Sequence, residues 1–112
     1  MLAEDGLLLI DKPAGWTSND VVQKVKRLIT ARKVGHTGTL DPAATGLLVL
    51  CVNGATKWAR HLVMDDKAYE ALVVLGRSTD TGDADGCVVG EAPVPRLSRA
   101  ELEVVLQRFM GS

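Results

Sequence analysis

The sequence predicts a mixed α/β (α+β) fold in which a mostly antiparallel sheet is flanked by helices. Its 112 residues are 46% hydrophobic and 24% charged, which is ordinary usage for a globular protein. Short apolar runs of strand length alternate with segments whose apolar residues recur at helical spacing. No apolar run reaches the roughly 18 residues that a membrane-spanning helix needs. These observations exclude a fibrous, disordered or membrane-spanning chain and favour one small domain or part of a larger one.

The first half of the chain is predicted to form two strands with a helix between them. Residues 6–10 are a short apolar run followed by a Pro/Gly turn, which predicts a buried strand. Ser18 is predicted to cap a helix that continues to about Arg32 and stops at the next glycine. Residues 35–42 have no periodicity and are rich in glycine, so we expect an ordered loop there. Residues 46–52 are continuously apolar and predict a second buried strand.

The second half is predicted to add a short helix, two strands and a last helix. Residues 55–64 fit the short helix, and the alternation in residues 67–75 predicts a strand whose Tyr69 face packs inward. A short strand is expected at residues 87–91, before two prolines. Ser98 is predicted to cap the last helix, whose apolar residues recur at helical spacing.

The charge of the chain is divided unevenly between its two halves. The formal net charge is -1. Residues 1–62 nevertheless carry eight Lys/Arg against five Asp/Glu, whereas residues 63–112 carry five against nine. Five basic residues fall within ten positions, and they are Lys24, Lys26, Arg27, Arg32 and Lys33. Such a cluster is either a solvated helix face or a set of contacts to nucleic-acid phosphates, and charge alone does not decide between them.

Cysteine usage and the amino-terminal residues predict a cytoplasmic protein. Cys51 and Cys87 stand alone, without a C-x-x-C motif or clustered histidines, so neither a disulfide framework nor a zinc site is expected. The chain starts with acidic residues and a short apolar stretch, which is the wrong charge order for a secretory signal. The glycine-rich motifs that bind nucleotide phosphates are absent from the sequence.

Asp41 is the most informative side chain of the predicted loop, where it follows His36 and Thr39 and precedes Pro42. One interpretation is that its carboxylate caps the following turn, with Pro42 at the first position. The other is catalytic, because a carboxylate held in a rigid loop can act as a nucleophile at carbon. Spacing alone leaves both interpretations open.

Five segments carry motifs whose order and spacing are distinctive. They are residues 6–18 (GLLLIDKPAGWTS), 35–46 (GHTGTLDPAATG), 54–57 (GATK), 67–69 (KAY) and 75–86 (LGRSTDTGDADG). Together they resemble the successive motifs of the TruB family of tRNA pseudouridine synthases. The resemblance extends over essentially the whole chain, and it implies the N-terminal part of a pseudouridine synthase catalytic domain.

The resemblance also implies an activity and a role for each matching residue. The activity is the isomerisation of the T-arm uridine of tRNA to pseudouridine, without any cofactor. By the motif match, Asp41 is the nucleophile, His36 takes the place of the flipped base, and Tyr69 stacks on the target uracil. Lys12 and Pro13 match the first motif and receive a supporting role only. The expected protein is a monomer that binds the T-arm stem-loop of tRNA and needs neither metal nor membrane.

The resemblance further places several parts of the family's enzyme after residue 112. They are the rest of the catalytic domain, an arginine that pairs with the nucleophilic aspartate, and a C-terminal RNA-binding domain. The isolated chain is therefore expected to be inactive. Two other functions stay open at this point. The first is an RNA chaperone that binds and folds tRNA without chemistry, and the second is a guide-RNA-dependent relative that modifies ribosomal RNA within a multiprotein particle.

Overall fold

A computed structural model describes residues 3–63 and 65–111. The chain divides into two compact units, Met1–Ala68 and Tyr69–Ser112, and each is described by itself. The elements of the first unit are β1 (Gly6–Lys12), α1 (Ser18–Leu28), β2 (Val34–His36), β3 (Gly46–Val52), a 3-10 helix (Asn53–Trp58) and α2 (Ala59–Val63). The elements of the second unit are β4 (Arg77–Thr79), β5 (Val88–Glu91) and α3 (Arg99–Gln107). Helices and antiparallel strands are thus combined, which confirms the predicted mixed fold.

The sheet of the first unit is antiparallel, with β3 between β1 and β2. At one end of the sheet Lys12 pairs with Gly46, and at the other end Gly6 pairs with Val52. Six residue steps at about 3.4 Å each separate these ends by roughly 20 Å. Side chains at opposite ends of this sheet therefore cannot contact the same small group.

The core of the first unit lies between α1 and one face of this sheet. Val21, Val22 and Val25 recur on one side of the helix, and each is at most 8% exposed. They form a cluster with Leu48 and Leu50 of the central strand. A stripe at this spacing buries the apolar face of a helix and leaves its polar face in water, so packing against the sheet holds α1 in place.

The start of α1 corrects the predicted cap, because Thr17 rather than Ser18 is the N-cap residue. The Thr17 hydroxyl accepts a hydrogen bond from the Asp20 amide at 2.9 Å, and the Asp20 carboxylate accepts one from the Thr17 amide at 3.0 Å. This reciprocal capping box satisfies two free amides of the first turn. Hydrogen bonds to Thr17 hold the pKa of Asp20 below its ordinary value. Ser18 is consequently free to make a different contact.

The end of α1 also differs from the prediction, since the helix stops at Leu28 instead of Arg32. Thr30 adopts a left-handed conformation with φ of 54°, and the expected stop, Gly35, lies inside β2. With Thr30 in this conformation, the Ala31 amide donates to the Lys26 carbonyl at 3.1 Å, which closes the end of the helix. A long-range contact holds the residues that follow. The Asn53 side-chain oxygen accepts hydrogen bonds from the backbone amides of Arg32 and residue 33, at 2.9 and 3.1 Å. These amides are therefore turned toward the end of β3 and cannot continue the helix.

The predicted helix at residues 55–64 is confirmed in part. It is a 3-10 helix followed by the short α2, and Met64 lies outside the described residues. No helix in the described ranges is long and apolar enough to cross a membrane.

The second unit contains a two-stranded antiparallel sheet and α3. The strand predicted at residues 87–91 is confirmed as β5, and Ser98 caps α3 by accepting a hydrogen bond from the Glu101 amide at 3.2 Å. The strand predicted at residues 67–75 is wrong. These residues form no regular element, and Tyr69, expected to face inward, is 71% exposed. Alternation alone does not make a strand, and no described strand pairs with this segment.

Candidate active site

Asp41 lies in the loop that joins β2 to β3, at the end of the sheet where β1 stops. The β1–α1 turn begins at this same end, because Lys12 pairs with Gly46, the first residue of β3. The loop of Asp41 and the turn after β1 are therefore neighbours in space although they are far apart in sequence.

The residue before Asp41 is anchored to the first residue of α1. The Ser18 hydroxyl accepts a hydrogen bond from the Leu40 amide at 2.9 Å and donates one to the Leu40 carbonyl at 3.1 Å. Ser18 is 2% exposed, so water does not compete for these contacts. One hydroxyl thus satisfies both backbone polar groups of Leu40.

The residue after Asp41 is anchored to the β1–α1 turn. The Pro42 carbonyl accepts hydrogen bonds from the Gly15 amide at 2.7 Å and from the Lys12 ammonium at 3.2 Å. Gly15 has φ of 87°, a conformation that disfavours any residue with a Cβ. Lys12 is fully buried, and its ammonium also donates to the carbonyls of Pro13 and Trp16 at 2.9 and 2.7 Å. An ammonium has three donors, and all three are satisfied here.

The Asp41 carboxylate itself is free. The turn that follows is closed by the Asp41 backbone carbonyl, which accepts a hydrogen bond from the Ala44 amide at 2.9 Å. In the described part of the chain no hydrogen bond reaches the carboxylate, and the residue is exposed. The interpretation of Asp41 as a side-chain cap is therefore wrong. Its backbone is fixed on both sides while its side chain is open to a ligand.

His36 ends β2 and is half-buried. It is paired with Leu50, whose side chain belongs to the core beneath α1. The His36 Nδ1 atom is buried and has no hydrogen-bond partner among the described residues. A buried nitrogen without a partner is uncommon in folded proteins, and a catalytic role or a bound water or ion are among its explanations. His36 and Asp41 therefore both lie in the first unit, five positions apart in the chain.

No lysine or arginine of the described ranges is ion-paired with Asp41. Both ion pairs found there, Arg77–Glu91 and Arg99–Glu103, lie in the second unit. Lys12 is committed to backbone carbonyls, and Arg32 precedes β2 at the opposite end of the sheet. Lys67 reaches the same loop beside Gly38, but its ammonium donates to the carbonyl of Val63. Among the described residues Asp41 therefore has no ion-pair partner.

Tyr69 is the first residue of the second unit, and its exposed ring is available for stacking.

The structure also identifies two supporting residues that sequence reasoning missed, namely Ser18 and Gly15. A signal for Ser18 existed. The pattern of Thr17 followed three positions later by Asp20 is typical of a capping box, and it would have assigned the cap to Thr17 and left Ser18 for another role.

Comparisons with known proteins show which family the chain resembles. A family model described as TruB family pseudouridylate synthase (N terminal domain) matches residues 26–112, a range that contains all three candidate residues. The tRNA pseudouridine synthase B of Azoarcus sp. (strain BH72) is 58% identical over 96% of this chain and 35% of its own length. Proteins of the same name from Psychrobacter cryohalolentis and Cupriavidus pinatubonensis are 51% and 56% identical, over 96% and 95% of this chain. The chain spans about a third of the length of these curated relatives.

Proposed function

The chain belongs to the TruB family of pseudouridylate synthases, and on that basis we propose that it supplies the nucleophile of a tRNA pseudouridine synthase. The nucleophile is Asp41, and the substrate is the T-arm uridine of tRNA. The intact protein, meaning the complete gene product that contains this chain, carries out the reaction. One observation supports the proposal most strongly: the Asp41 carboxylate is free while the backbone on either side of it is anchored.

The proposed reaction is an isomerisation, so the composition of the nucleotide does not change. Asp41 attacks the target nucleotide, and the bond between ribose and the uracil nitrogen breaks. The base turns and rejoins the ribose through carbon 5, and the bond to Asp41 breaks so that its carboxylate is regenerated. The hydrogen of carbon 5 leaves to solvent as a proton, and the freed nitrogen takes up a proton. No net oxidation or reduction occurs, so the chemistry calls for a nucleophile rather than a redox cofactor.

The other two candidate residues, His36 and Tyr69, are proposed to offset the free energy that is needed to extrude a base. Flipping the uridine out of a folded RNA loop costs a few kcal/mol. We propose that His36 fills the space that the base leaves, and that the Tyr69 ring stacks on the extruded uracil. An aromatic platform contributes about 1 to 3 kcal/mol per base. The unpartnered Nδ1 of His36 and the exposed ring of Tyr69 are consistent with these roles.

We also propose that the chain is the N-terminal part of a catalytic domain in a cytoplasmic, monomeric protein. In this proposal the rest of that domain and a separate RNA-binding domain complete the intact protein. The lengths of the curated relatives, about three times that of this chain, are in keeping with the proposal.

The cluster formed by Arg32 and Lys33 is proposed to contact RNA phosphates at a distance from Asp41. Asn53 fixes the backbone of both residues at the end of the sheet opposite Asp41, roughly 20 Å away. Changing both to alanine is expected to reduce the slope of log affinity against log salt by about 1 to 2 and to leave kcat within about twofold. Binding of a T-arm stem-loop at several salt concentrations measures the slope.

A control with the same change of charge separates a local contact from a general field effect. Arg96 and Arg108, which are both exposed residues of the second unit, are changed to alanine in the control protein. An unaltered slope in the Arg32/Lys33 variant, or an equal change in the control, would show that the cluster is only a solvated surface.

The isolated 112-residue chain is expected to leave uridine unchanged. RNA phosphates disfavour a further negative charge beside them unless a cation offsets it, and no described cation is paired with Asp41. Pseudouridine formation on a T-arm stem-loop is measured for the chain and for the intact protein at equal concentration. Repeated turnover by the chain alone would contradict the expectation, because it would mean that residues already present activate Asp41.

A further inference from the structure

We propose that Ser18 is a positioning residue, which acts on the reaction by orienting the Asp41 loop and does not touch the substrate. The inference rests on the proposed role of Asp41, and it assigns to Ser18 a further role in the same reaction. Its basis is the pair of hydrogen bonds between the Ser18 hydroxyl and the two backbone polar groups of Leu40.

The anchor on the Ser18 side is rigid. Ser18 is the first residue of α1, directly after the Thr17 capping box, and one turn before the core residues Val21 and Val22. Its own backbone is therefore fixed by the helix and by the core. The side chain is 2% exposed, and at this burial a hydroxyl that loses its partners is costly. Leu40 is thus tied to a residue whose position is fixed by the core of the first unit.

The hydrogen bonds of the Leu40 backbone have no substitute. In the described ranges the loop makes one backbone hydrogen bond before this point, from the Thr37 amide to the carbonyl of Val49, and two after it, from the Ala44 amide to the carbonyl of Asp41 and from the Gly15 amide to the carbonyl of Pro42. Leu40 has no other hydrogen-bond partner among the described residues. Removal of the Ser18 hydroxyl therefore leaves both polar groups of the Leu40 backbone without a protein partner. The Leu40 side chain still packs against the core, but this apolar contact does not fix the orientation of the peptide that precedes Asp41.

The two anchors together determine where the carboxylate of Asp41 points. The carbonyl of Pro42 is held by Gly15 and Lys12, so the chain after Asp41 is already fixed. Fixing Leu40 as well leaves mainly the side-chain rotation of Asp41 as a local degree of freedom. A nucleophile must lie close to the reacting atom and in line with it, and a misplacement of about 1 Å can lower the rate about 100-fold. The cost of losing Ser18 therefore falls on the chemical step and not on RNA binding.

The test compares Ser18→Ala with Thr17→Ala in the intact protein. Both changes remove a hydroxyl at the start of α1, but the Thr17 hydroxyl serves only the helix cap, through its bond from the Asp20 amide. We expect Ser18→Ala to lower kcat for a T-arm stem-loop by about 10- to 100-fold, with KM and Kd within about twofold. Thr17→Ala is expected to lower the temperature of unfolding at least as much as Ser18→Ala does, and to keep kcat within about threefold of the parental value.

A conservative variant distinguishes the hydroxyl from the side-chain volume. Ser18→Thr retains the hydroxyl and is expected to recover most of the lost kcat. If Ser18→Ala does not fold, Ser18→Cys keeps the side-chain volume with a much weaker donor and carries the same expectation. Parental kcat in the hydroxyl-free variant, or an equal loss of kcat in Thr17→Ala, would overturn the inference. Asp41→Asn is assayed in parallel, because its inactivity shows that the proposed function stands even where the role of Ser18 fails.

Discussion

Replacing Lys12 with methionine is expected to loosen the β1–α1 turn and the Asp41 loop at the same time. The Lys12 ammonium joins the carbonyls of Pro13, Trp16 and Pro42 at a point with no access to solvent. Methionine has a side chain of similar length but no hydrogen-bond donor. The carbonyl of Trp16 therefore loses its bond from the ammonium, and the carbonyl of Pro42 keeps only the hydrogen bond from the Gly15 amide. A buried acceptor that loses its partner costs about 1 to 3 kcal/mol.

The loss of stability in the Lys12→Met variant is expected to be large and confined to the β1–α1 turn and the Asp41 loop. A local destabilisation of about 2 kcal/mol corresponds to amide exchange that is about 30 times faster. Hydrogen exchange of the intact protein measures this at the amides of Gly15 and Leu40, which mark the two anchors of the loop. The activity of the same variant on a T-arm stem-loop is expected to fall, because the backbone next to Asp41 is no longer fixed.

Two controls accompany the Lys12 variant. Lys24→Met removes the same charge from an exposed position of α1 and is expected to leave both exchange rates unchanged. Lys12→Arg keeps the charge, but a planar guanidinium does not fit three carbonyls that converge on one ammonium, so little recovery is expected. Parental exchange at Gly15 in the methionine variant would show that the buried ammonium does not hold the turn.

Local periodicity was sufficient to predict most of the regular elements. The strands at residues 6–10 and 46–52 and the capped helix after Ser98 depend on short-range patterns, and all are present. The first strand is not buried on both faces as predicted, because Leu7 and Leu9 are 54% and 65% exposed. The end of α1 was mispredicted because Thr30 adopts a left-handed conformation that the helical pattern does not signal. Asn53, about twenty positions further along the chain, then binds the amides of residues 32 and 33. Residues 67–75 alternate as a strand does, but a strand also needs a partner, which the pattern cannot show.

The sequence supplied the candidate residues of the site but not the contacts that hold them. The motif around His36 and Asp41 proposed both as candidates, while the anchors of the loop were missed or assigned only a general supporting role. The reason is physical. The contact between Lys12 and Pro42 joins residues thirty positions apart, and that between Ser18 and Leu40 joins residues 22 positions apart. Neither spacing follows from a helical or strand period, so only the folded chain brings these groups together.

Asp41→Asn is expected to abolish isomerisation and to preserve RNA binding. Asparagine has nearly the same shape, and the backbone anchors of Leu40 and Pro42 do not involve the side chain that is changed. What is lost is the negative charge and with it the nucleophile. Loss of a nucleophile lowers kcat by at least about 1,000-fold, and binding of the T-arm stem-loop is expected to stay within about threefold. An RNA chaperone without chemistry would show the same binding, but its wild-type protein would form no pseudouridine.

Release of tritium from carbon 5 of the target uridine tests the role of Asp41 most directly. The rejoining of ribose to carbon 5 displaces the hydrogen there, so a labelled T-arm stem-loop reports each turnover. The intact protein is predicted to release many equivalents of tritium per enzyme, and the Asp41→Asn protein, shown by hydrogen exchange to keep its fold, is predicted to release none above background. Release by the asparagine variant at near the parental rate would contradict the account and would require another residue to be the nucleophile.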